Sequence, residues 1–488
     1  MDRFKTENSY STIMKRLSAF GGVQLFNILI TLVRGKFVAM FLGPEGMGIS
    51  SLLTSSATTV QQLGGLGLNV AIVKDVASVK DNPQQRSTII NVAIRLLLFT
   101  SLLGALLCVI LSPWLSRWSF GDYSYTWSFV CLGLFAALSI GGGGFLAILQ
   151  GMSEVKRLSK ASLAGGLAGL FGGVPLYYFF GNSGIVPAMI LMSLTIFLFY
   201  YISFRKSVDY DRTSTFRLRS HVPLIKRLLS LGVILMTGTL VGTATNFAIN
   251  AFVRAFGDID NVGLYQAGSS LTNQYLGIVF SALAMDYFPR LSAAMKEHAK
   301  MLTVVNRQSE IVMLIATPLA LALIWSTPWV IRLLLTDEFL VIIPLMRWLG
   351  LGILLQAAVF PLGYIYIAGD NRRLYVWMEI VIGNLVWILF SMGLYYRLGL
   401  IGLGVSLVAR NLLNLILAYC VTARFYGFRY DRKSLTALTV CLTFGTCGFL
   451  VSILTEQAFG WPILLVTVAS TLYSAYRLRL QVQNDRNT

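Results

Sequence analysis

Charged residues are scarce in this chain of 488 residues: they make up 12% of it, whereas 56% of the residues are hydrophobic. A soluble domain carries about 25% charged residues. The longest polar gap between apolar runs, residues 205–227, has only the size of a loop. This composition excludes a large soluble domain. Apolar runs of about 20 residues, the length that crosses a bilayer, recur along the chain and predict an all-α polytopic membrane protein.

Residues that bind metals or carry redox chemistry are also few. The two histidines, His221 and His298, are far apart in sequence, and none of the five cysteines has C-x-x-C spacing. A zinc or redox site needs such ligands at close spacing, so we predict no metal site and no cofactor. The cysteines lie within apolar segments and are interpreted as small core residues. The chain also lacks the phosphate loop G-x-x-x-x-G-K-[ST], which argues against ATP hydrolysis as the driving force.

Fourteen apolar segments are predicted to cross the membrane. Lys and Arg are distributed unequally between the connections: thirty lie in one set of alternate connections, counted with both termini and the adjoining Arg307, and four lie in the other set. Positively charged connections stay in the cytoplasm, so both termini are predicted to be cytoplasmic. The predicted spans are residues 17–42, 46–73, 88–111, 125–150, 161–180, 184–204, 228–252, 262–285, 303–326, 340–368, 374–395, 400–423, 435–455 and 460–476.

The formal net charge of +18 follows from this distribution. The basic surplus orients the protein and can meet anionic lipid, so the bilayer is the expected partner and nucleic acid is not. The first sixteen residues are polar, and no A-x-A-like site follows the first apolar run. We therefore expect no cleaved signal peptide.

Two stretches of sequence about 215 residues apart resemble each other. The stretch "FVAMFLGPEGMGISSLLTSS" (37–56) is similar to "FVRAFGDIDNVGLYQAGSS" (252–270). The separation corresponds to six spans, an even number, so the two blocks have the same orientation. Parallel repeats of this kind place the substrate of a transporter between them. We therefore divide the chain into an N-lobe (1–210, spans 1–6), a C-lobe (211–430, spans 7–12) and a C-terminal part (431–488, spans 13 and 14).

Polar side chains recur at helical spacing along several predicted spans, and in span 1 they end in Arg34. Residues at i, i+3, i+4 and i+7 share one helix face. Lys36 is two residues further on, about 200° around the helix, and points away from this face. A charge at the bilayer centre costs at least ~2.5–3.5 kcal/mol, so a water-filled cavity with an anionic ligand is expected there. The candidate substrate-binding residues are Arg34, Gln24, Asn27, Thr31, Asn246, Asn250, Arg254, Asn273, Arg95, Arg347 and Arg410.

Each of these residues also has a second interpretation. Amides and hydroxyls form bonds between helices, and arginines can extend along apolar surface toward the interface. Acids inside the spans are few: Glu310 and Glu379 lie near cytoplasmic ends of the second lobe. They are candidate ion-coupling residues, because a buried carboxylate can have a raised pKa and carry a proton. The alternative for Glu310 is a structural salt bridge, for instance with Arg307.

The stretches "VRGKFVAMFLGPEGMGISSLL", "LGLNVAIVKDVASVKDNPQQ", "YFPRLSAAM" and "RRLYVWMEIVIGNLVW" together resemble the Wzx-type polysaccharide flippases. More closely, they are similar to the O-antigen and enterobacterial-common-antigen (lipid III) translocases of the multidrug/oligosaccharidyl-lipid/polysaccharide exporter superfamily. The resemblance extends to about residue 430. It implies fourteen helices, two six-helix lobes in a V, and alternating access. In the lipid II flippases of the superfamily a cationic first-helix residue lies in the central cavity, and Arg34 has a similar place.

The resemblance implies a substrate as well. It predicts a flippase that moves an undecaprenyl-pyrophosphate-linked oligosaccharide, an O-antigen unit or a related glycan, from the cytoplasmic to the periplasmic leaflet of the bacterial inner membrane. Arginine's planar fork suits the diphosphate, and amides suit sugar hydroxyls. A polysaccharide polymerase and a chain-length regulator are candidate partners.

Two other functions compete with this one. A cation-coupled multidrug antiporter of the same superfamily needs membrane-embedded acids, whereas cationic residues dominate the spans here. A glycan polymerase or ligase usually carries a large periplasmic loop with catalytic residues. The longest outer connection, about residues 112–124, is short and has no histidine. We therefore predict a transporter and not an enzyme.

Overall fold

The computed structural model describes residues 10–79, 82–208, 218–369, 371–454 and 460–486. Within these ranges the chain forms helices joined by short connections, without a β-strand. The helices are α1 (Tyr10–Gly65), α2 (Leu68–Ser78), α3 (Pro83–Phe120), α4 (Thr126–Gly151), α5 (Val155–Phe180), α6 (Ile185–Ser207), α7 (Leu218–Phe256), α8 (Ile259–Ala294), α9 (His298–Leu334), α10 (Ile343–Ala368), α11 (Arg372–Tyr375), α12 (Gly383–Leu398), α13 (Leu400–Tyr426), α14 (Arg432–Leu454) and α15 (Trp461–Arg486). A π-helical stretch, Val376–Ile382, joins α11 to α12.

The predicted spans all coincide with helical segments. Spans 1 and 2 both lie in α1, which bends at Gly43, where φ is 63° and ψ is −164°. Pro44 follows at once, and proline cannot donate the backbone hydrogen bond that would continue the first arm. Among the described residues, ten helical segments are long and apolar enough to cross a membrane. Two of these, Phe26–Gly65 and Val155–Ser207, each contain two predicted spans, while α8 and α15 fall outside this set. The fold class predicted from the sequence, an all-α polytopic membrane protein, is confirmed.

Span 2 is interrupted at Gly67, between α1 and α2. Gly67 has a φ of 62°, a left-handed conformation that residues with a Cβ adopt rarely. A Cβ at this position would also collide with the carbonyl oxygen of Gly232 on α7. Glycine is therefore needed at this position for two reasons: the left-handed turn and the close approach of the two backbones.

The chain divides into two compact units, and the first comprises residues 1–255. In it α1 packs on α3 and α5, α2 on α4, α3 on α4, and both α4 and α5 on α6. A buried apolar cluster that includes Leu68, Ile90, Ile148, Phe204 and Leu228 joins α2, α3, α4, α6 and α7. This unit includes α7. The lobe boundary predicted from the sequence, at residue 210, instead assigns span 7 to the C-lobe, and that boundary stays a prediction.

Two polar contacts fasten α7 to span 2 near the opposite ends of α7. Arg227 bonds the buried carboxylate of Asp75 through its Nε and Nη2, at 3.1 and 2.7 Å. At the other end, the Nδ2 of Asn250 donates to the Oγ of Ser51 at 3.2 Å. Interhelical hydrogen bonds in a bilayer contribute about 0.6 kcal/mol each on average, because the unfolded state in the membrane also finds hydrogen-bond partners. The main effect of these two contacts is to fix the position of α7 along span 2.

The second unit comprises residues 256–488 and is built around α10. This helix packs on α8, α9, α13 and α14, and α12 packs on α13. The pairs α8–α10, α9–α10, α10–α13 and α12–α13 correspond to α2–α4, α3–α4, α4–α6 and α5–α6 of the first unit, shifted by six spans. The two units therefore repeat the same order of packing, in agreement with the internal repeat in the sequence.

The two C-terminal helices, α14 and α15, both pack on α9. Asn306 of α9 organises the connection that leads into α14: its Nδ2 donates to the carbonyl of Arg429, and its Oδ1 accepts from the backbone N–H of Asp431, both at 3.0 Å. A buried ion pair between Glu310 and Arg477, 2.7 Å long, attaches α15. Spans 13 and 14 are thus tied to the second unit by polar contacts as well as by apolar packing.

Candidate functional site

Arg34 lies on the first arm of α1, half-buried within the first unit. Its Nη1 is 2.8 Å from the sulfur of Met192 on α6, and Tyr177 of α5 is near enough to interact with its charge. A thioether sulfur is a weak acceptor, whereas a guanidinium has five N–H donors. Among the residues that the structure describes, no carboxylate forms an ion pair with Arg34. The guanidinium therefore keeps most of its donor capacity for an anionic ligand.

The other members of the span 1 stripe contact their own unit. The Nδ2 of Asn27 donates to the Oγ of Ser162 on α5 at 3.0 Å. The hydroxyl of Thr31 donates to the backbone carbonyl of Asn27 at 2.9 Å. These bonds fit the helix-packing interpretation, and they hold the arm that presents Arg34. The side chain of Gln24 lies outside the described residues. Lys36 is half-buried and has an interaction of its own.

The three predicted site residues of α7 differ in their surroundings. Asn250 is buried against Ser51, so it is a packing residue. Asn246 is exposed, and its Nδ2 donates to the carbonyl of Gly242 in its own helix at 3.3 Å. Arg254 is half-buried, and its guanidinium lies over the backbone of Gly121 at the end of α3.

An acid in the turn after α3 lies close to Arg254. The side chain and backbone of Ser124 donate to Asp122, and together with the charge of Arg254 they hold the pKa of this carboxyl below its ordinary value. The sequence argument considered only acids inside spans and therefore missed Asp122. Arg254 thus has an anionic neighbour at the end of the bundle, where the sequence predicted an uncompensated charge.

Glu379 and Arg410 meet in a polar cavity of the second unit. The cavity has a volume of about 260 Å³ and is also lined by Gln356, Asn411 and Asn414. The two charges are near enough to interact. The side chains of Glu379 and Arg410 form no hydrogen bond with each other. The Nε of Arg410 is buried and has no hydrogen-bond partner among the described residues. Two predicted site residues of opposite charge thus line the same cavity.

Two local features shape this cavity. Glu379 lies in the π-helical stretch Val376–Ile382, and such stretches are frequent at functional sites because the extra residue in the turn redirects side chains. The Nδ2 of Asn384 donates to the carbonyls of Glu379 and Ile380, at 3.3 and 2.9 Å, and so satisfies groups near the end of this stretch. On the other wall, the guanidinium of Arg410 lies 4.6 Å from the ring centroid of Trp387, a cation–π contact.

The remaining predicted residues lie elsewhere. Arg347 is buried in a different cavity of the second unit, near the start of α10. Arg95 of α3 and Asn273 of α8 are exposed, and Arg95 has an interaction partner. Glu310 pairs with Arg477, and this ion pair favours the structural interpretation of Glu310. Within the described ranges, no group of three or more His, Cys, Asp or Glu side chains could hold a metal ion.

Comparison with solved structures identifies the class of fold. The lipid II flippase MurJ in an inward closed conformation superposes with a TM-score of 0.74, covering 95% of this chain and 99% of that chain at 13% identity. An inward-facing multidrug resistance transporter of the MATE family, in the MOP superfamily, gives a TM-score of 0.69, covering 83% of this chain and 98% of that chain at 18% identity. The protein therefore has the fold of the MOP superfamily.

Comparison of sequences identifies the family as well as the fold. The profile of the family described as polysaccharide biosynthesis protein matches residues 37–344, more than half of the chain, so the chain belongs to this family. It is also 24% identical over 365 residues to the lipid III flippase of Escherichia coli K12, which covers 72% of this chain and 83% of that relative. The resemblance to polysaccharide flippases inferred from the quoted stretches is confirmed.

Proposed function

We propose that this multi-pass membrane protein is a flippase for an undecaprenyl-pyrophosphate-linked oligosaccharide, which it moves from the cytoplasmic to the periplasmic leaflet by alternating access. The observation that carries the proposal is Arg34, an embedded cation whose recorded hydrogen-bond acceptor is a thioether sulfur. A diphosphate must cross hydrocarbon, and it needs a cation that no carboxylate has already neutralised. Family membership and the similarity to a lipid III flippase support the same substrate class.

The roles of the other residues follow from their contacts. Asn27 and Thr31 position the Arg34 arm of α1 through bonds to α5 and to the helix itself. Gln356 and Asn414, in the cavity of the second unit, offer amide groups that match sugar hydroxyls. Glu379, in the same cavity, is the ion-coupling residue. The exported unit is consumed by a polysaccharide polymerase under a chain-length regulator, so both are inferred as functional partners.

The multidrug antiporter is the weaker candidate, although transporters of that kind share the fold. Exchange of an organic cation against a proton or a metal cation needs embedded carboxylates that are not neutralised. Of the two acids predicted inside spans, Glu310 is paired with Arg477, which leaves Glu379 as a single candidate for binding a cation. The chain is thus better provided with groups for an anion than for a cation.

Deletion of the gene in its own host is expected to trap the lipid-linked unit on the cytoplasmic side. In spheroplasts, a membrane-impermeant reagent that oxidises or binds sugars should then fail to reach the unit, and expression of the wild-type protein should restore its access. Surface glycan should fall in parallel. A unit that stays accessible from outside after deletion would point to a later step, such as polymerisation. Normal glycan together with a new sensitivity to organic cations would favour the antiporter.

We further infer that both termini lie in the cytoplasm of a bacterium, with the protein in the inner membrane. The thirty-to-four distribution of Lys and Arg supports this orientation. In a variant without native cysteines, single cysteines at Ser214 and Asn484 should react only with reagents that reach the cytoplasm. A cysteine at Tyr123, whose side chain is exposed, should react from the periplasm. Labelling of position 484 from the periplasm would contradict the orientation.

A further inference from the structure

Arg347 has unusual surroundings for a cation. It is the fifth residue of α10, and only 9% of its surface is exposed. Within the described residues its Nε has no hydrogen-bond partner, and no carboxylate forms an ion pair with its guanidinium. Within the described part of the chain, this buried cation therefore lacks an anion that would compensate its charge.

The space around Arg347 is a cavity of about 590 Å³. Arg347 is its only charged lining residue, and the remaining lining residues are apolar, among them Pro344, Trp348, Ile401 and Ile453. They come from the 3-10 segment Asp337–Ile342, from the start of α10, from the first turn of α13 and from the last turn of α14. Pro344, Ile401 and Ile453 are exposed, so the apolar wall continues onto the surface of the unit. This cavity shares no lining residue with the cavity of Glu379 and Arg410.

These features define the ligand chemically. A small hydrated anion would satisfy Arg347 but would leave the apolar wall without a partner. An uncharged lipid would fill the wall but would leave the guanidinium unpaired. A phosphate attached to hydrocarbon chains satisfies both, because arginine binds phosphate oxygens through its planar fork. We propose that the Arg347 pocket binds the phosphate of an anionic membrane phospholipid, whose chains lie along Ile401 and Ile453. The site does not depend on the proposed transport function.

Native mass spectrometry of the purified full-length protein with added phosphatidylglycerol tests the site. The tightest binding step should weaken about ten-fold or more in Arg347→Gln, since a charge-assisted bond is lost. Arg347→Lys should lie between this variant and the wild type, because it keeps the charge and loses the fork. The matched control is Arg397→Gln, which removes the same charge from an exposed arginine in the last turn of α12. This control should bind like the wild type.

A second variant keeps the test valid if Arg347→Gln fails to fold. Ile401→Trp fills the cavity and leaves the arginine in place, so it should also weaken the tightest binding step. Equal binding by the wild type and a folded Arg347→Gln variant would overturn the proposal, as would an equal loss in the Arg397→Gln control. A parallel titration with undecaprenyl phosphate separates the two lipid sources. Binding of that lipid through Arg347, with no response to phosphatidylglycerol, would overturn the phospholipid assignment.

Discussion

Arg34→Glu is expected to abolish surface glycan while the protein stays in the membrane at its normal level. The substitution puts a carboxylate where the diphosphate is expected to bind, so attraction is replaced by repulsion. Arg34→Ala should lower the apparent affinity about 10–100-fold, because a charge-assisted bond contributes roughly 1.5–3 kcal/mol. Arg34→Lys should be intermediate, since it keeps the charge and loses the planar fork. The measurement is surface glycan per cell, with the protein level determined by blot.

Two controls separate binding from packing at this position. Met192→Leu removes the sulfur that Arg34 contacts and keeps the volume, so transport should stay near that of the wild type. Lys36→Ala should have a mild effect, because Lys36 lies on another face of the helix. Normal glycan in Arg34→Ala, together with loss of glycan in Lys36→Ala, would show that the substrate meets the opposite face of α1.

Glu379→Gln is expected to slow transport and to remove its dependence on the ion gradient; if the carboxylate couples ion and substrate binding, the apparent substrate affinity should respond to the ion roughly 5–150-fold less. The reason is that Glu379 lines the cavity of the second unit and is the remaining embedded acid once Glu310 is paired with Arg477. Glutamine keeps the shape and removes the titratable charge. The measurement is the export rate of the lipid-linked unit at two values of the proton gradient and two sodium concentrations, at equal protein level.

A double variant that also changes the neighbouring Arg410 distinguishes two roles for Glu379. If Glu379 only compensates the charge of Arg410, the double variant Glu379→Gln, Arg410→Gln removes both charges and should recover much of the lost transport. If Glu379 carries the coupling ion, the double variant should stay uncoupled. Unchanged transport and unchanged gradient dependence in the single variant would remove Glu379 from the mechanism.

Helix positions were predictable because the bilayer imposes them. A span needs about 20 apolar residues with its backbone bonds satisfied internally, so hydropathy alone locates it. The bend at Gly43–Pro44 was also accessible, since both residue types interrupt a helix. The π-helical stretch Val376–Ile382 was not predicted, because its sequence has the composition of an ordinary apolar helix. That stretch nevertheless contains Glu379, which lines the cavity of the second unit.

Partners of polar residues could not be predicted, because they come from distant parts of the chain. Glu310 pairs with Arg477, 167 residues further on in the chain. Asn27 and Asn250 follow the same helical pattern as Arg34, yet both bond to other helices of their unit. Helical spacing identifies the face that a residue occupies, but not what packs against that face.

The sequence by itself determined the membrane class, the fourteen spans, the internal repeat and the family, because these depend on composition, periodicity and local similarity. The tertiary structure decided which embedded charges are compensated. It pairs Glu310 with Arg477, brings Asp122 near Arg254 and places Glu379 beside Arg410, while Arg34 and Arg347 have no carboxylate partner within the described residues. The physical reason is that the cost of an embedded charge depends on the atoms within a few ångströms of it, and those atoms are brought there only when distant helices pack together.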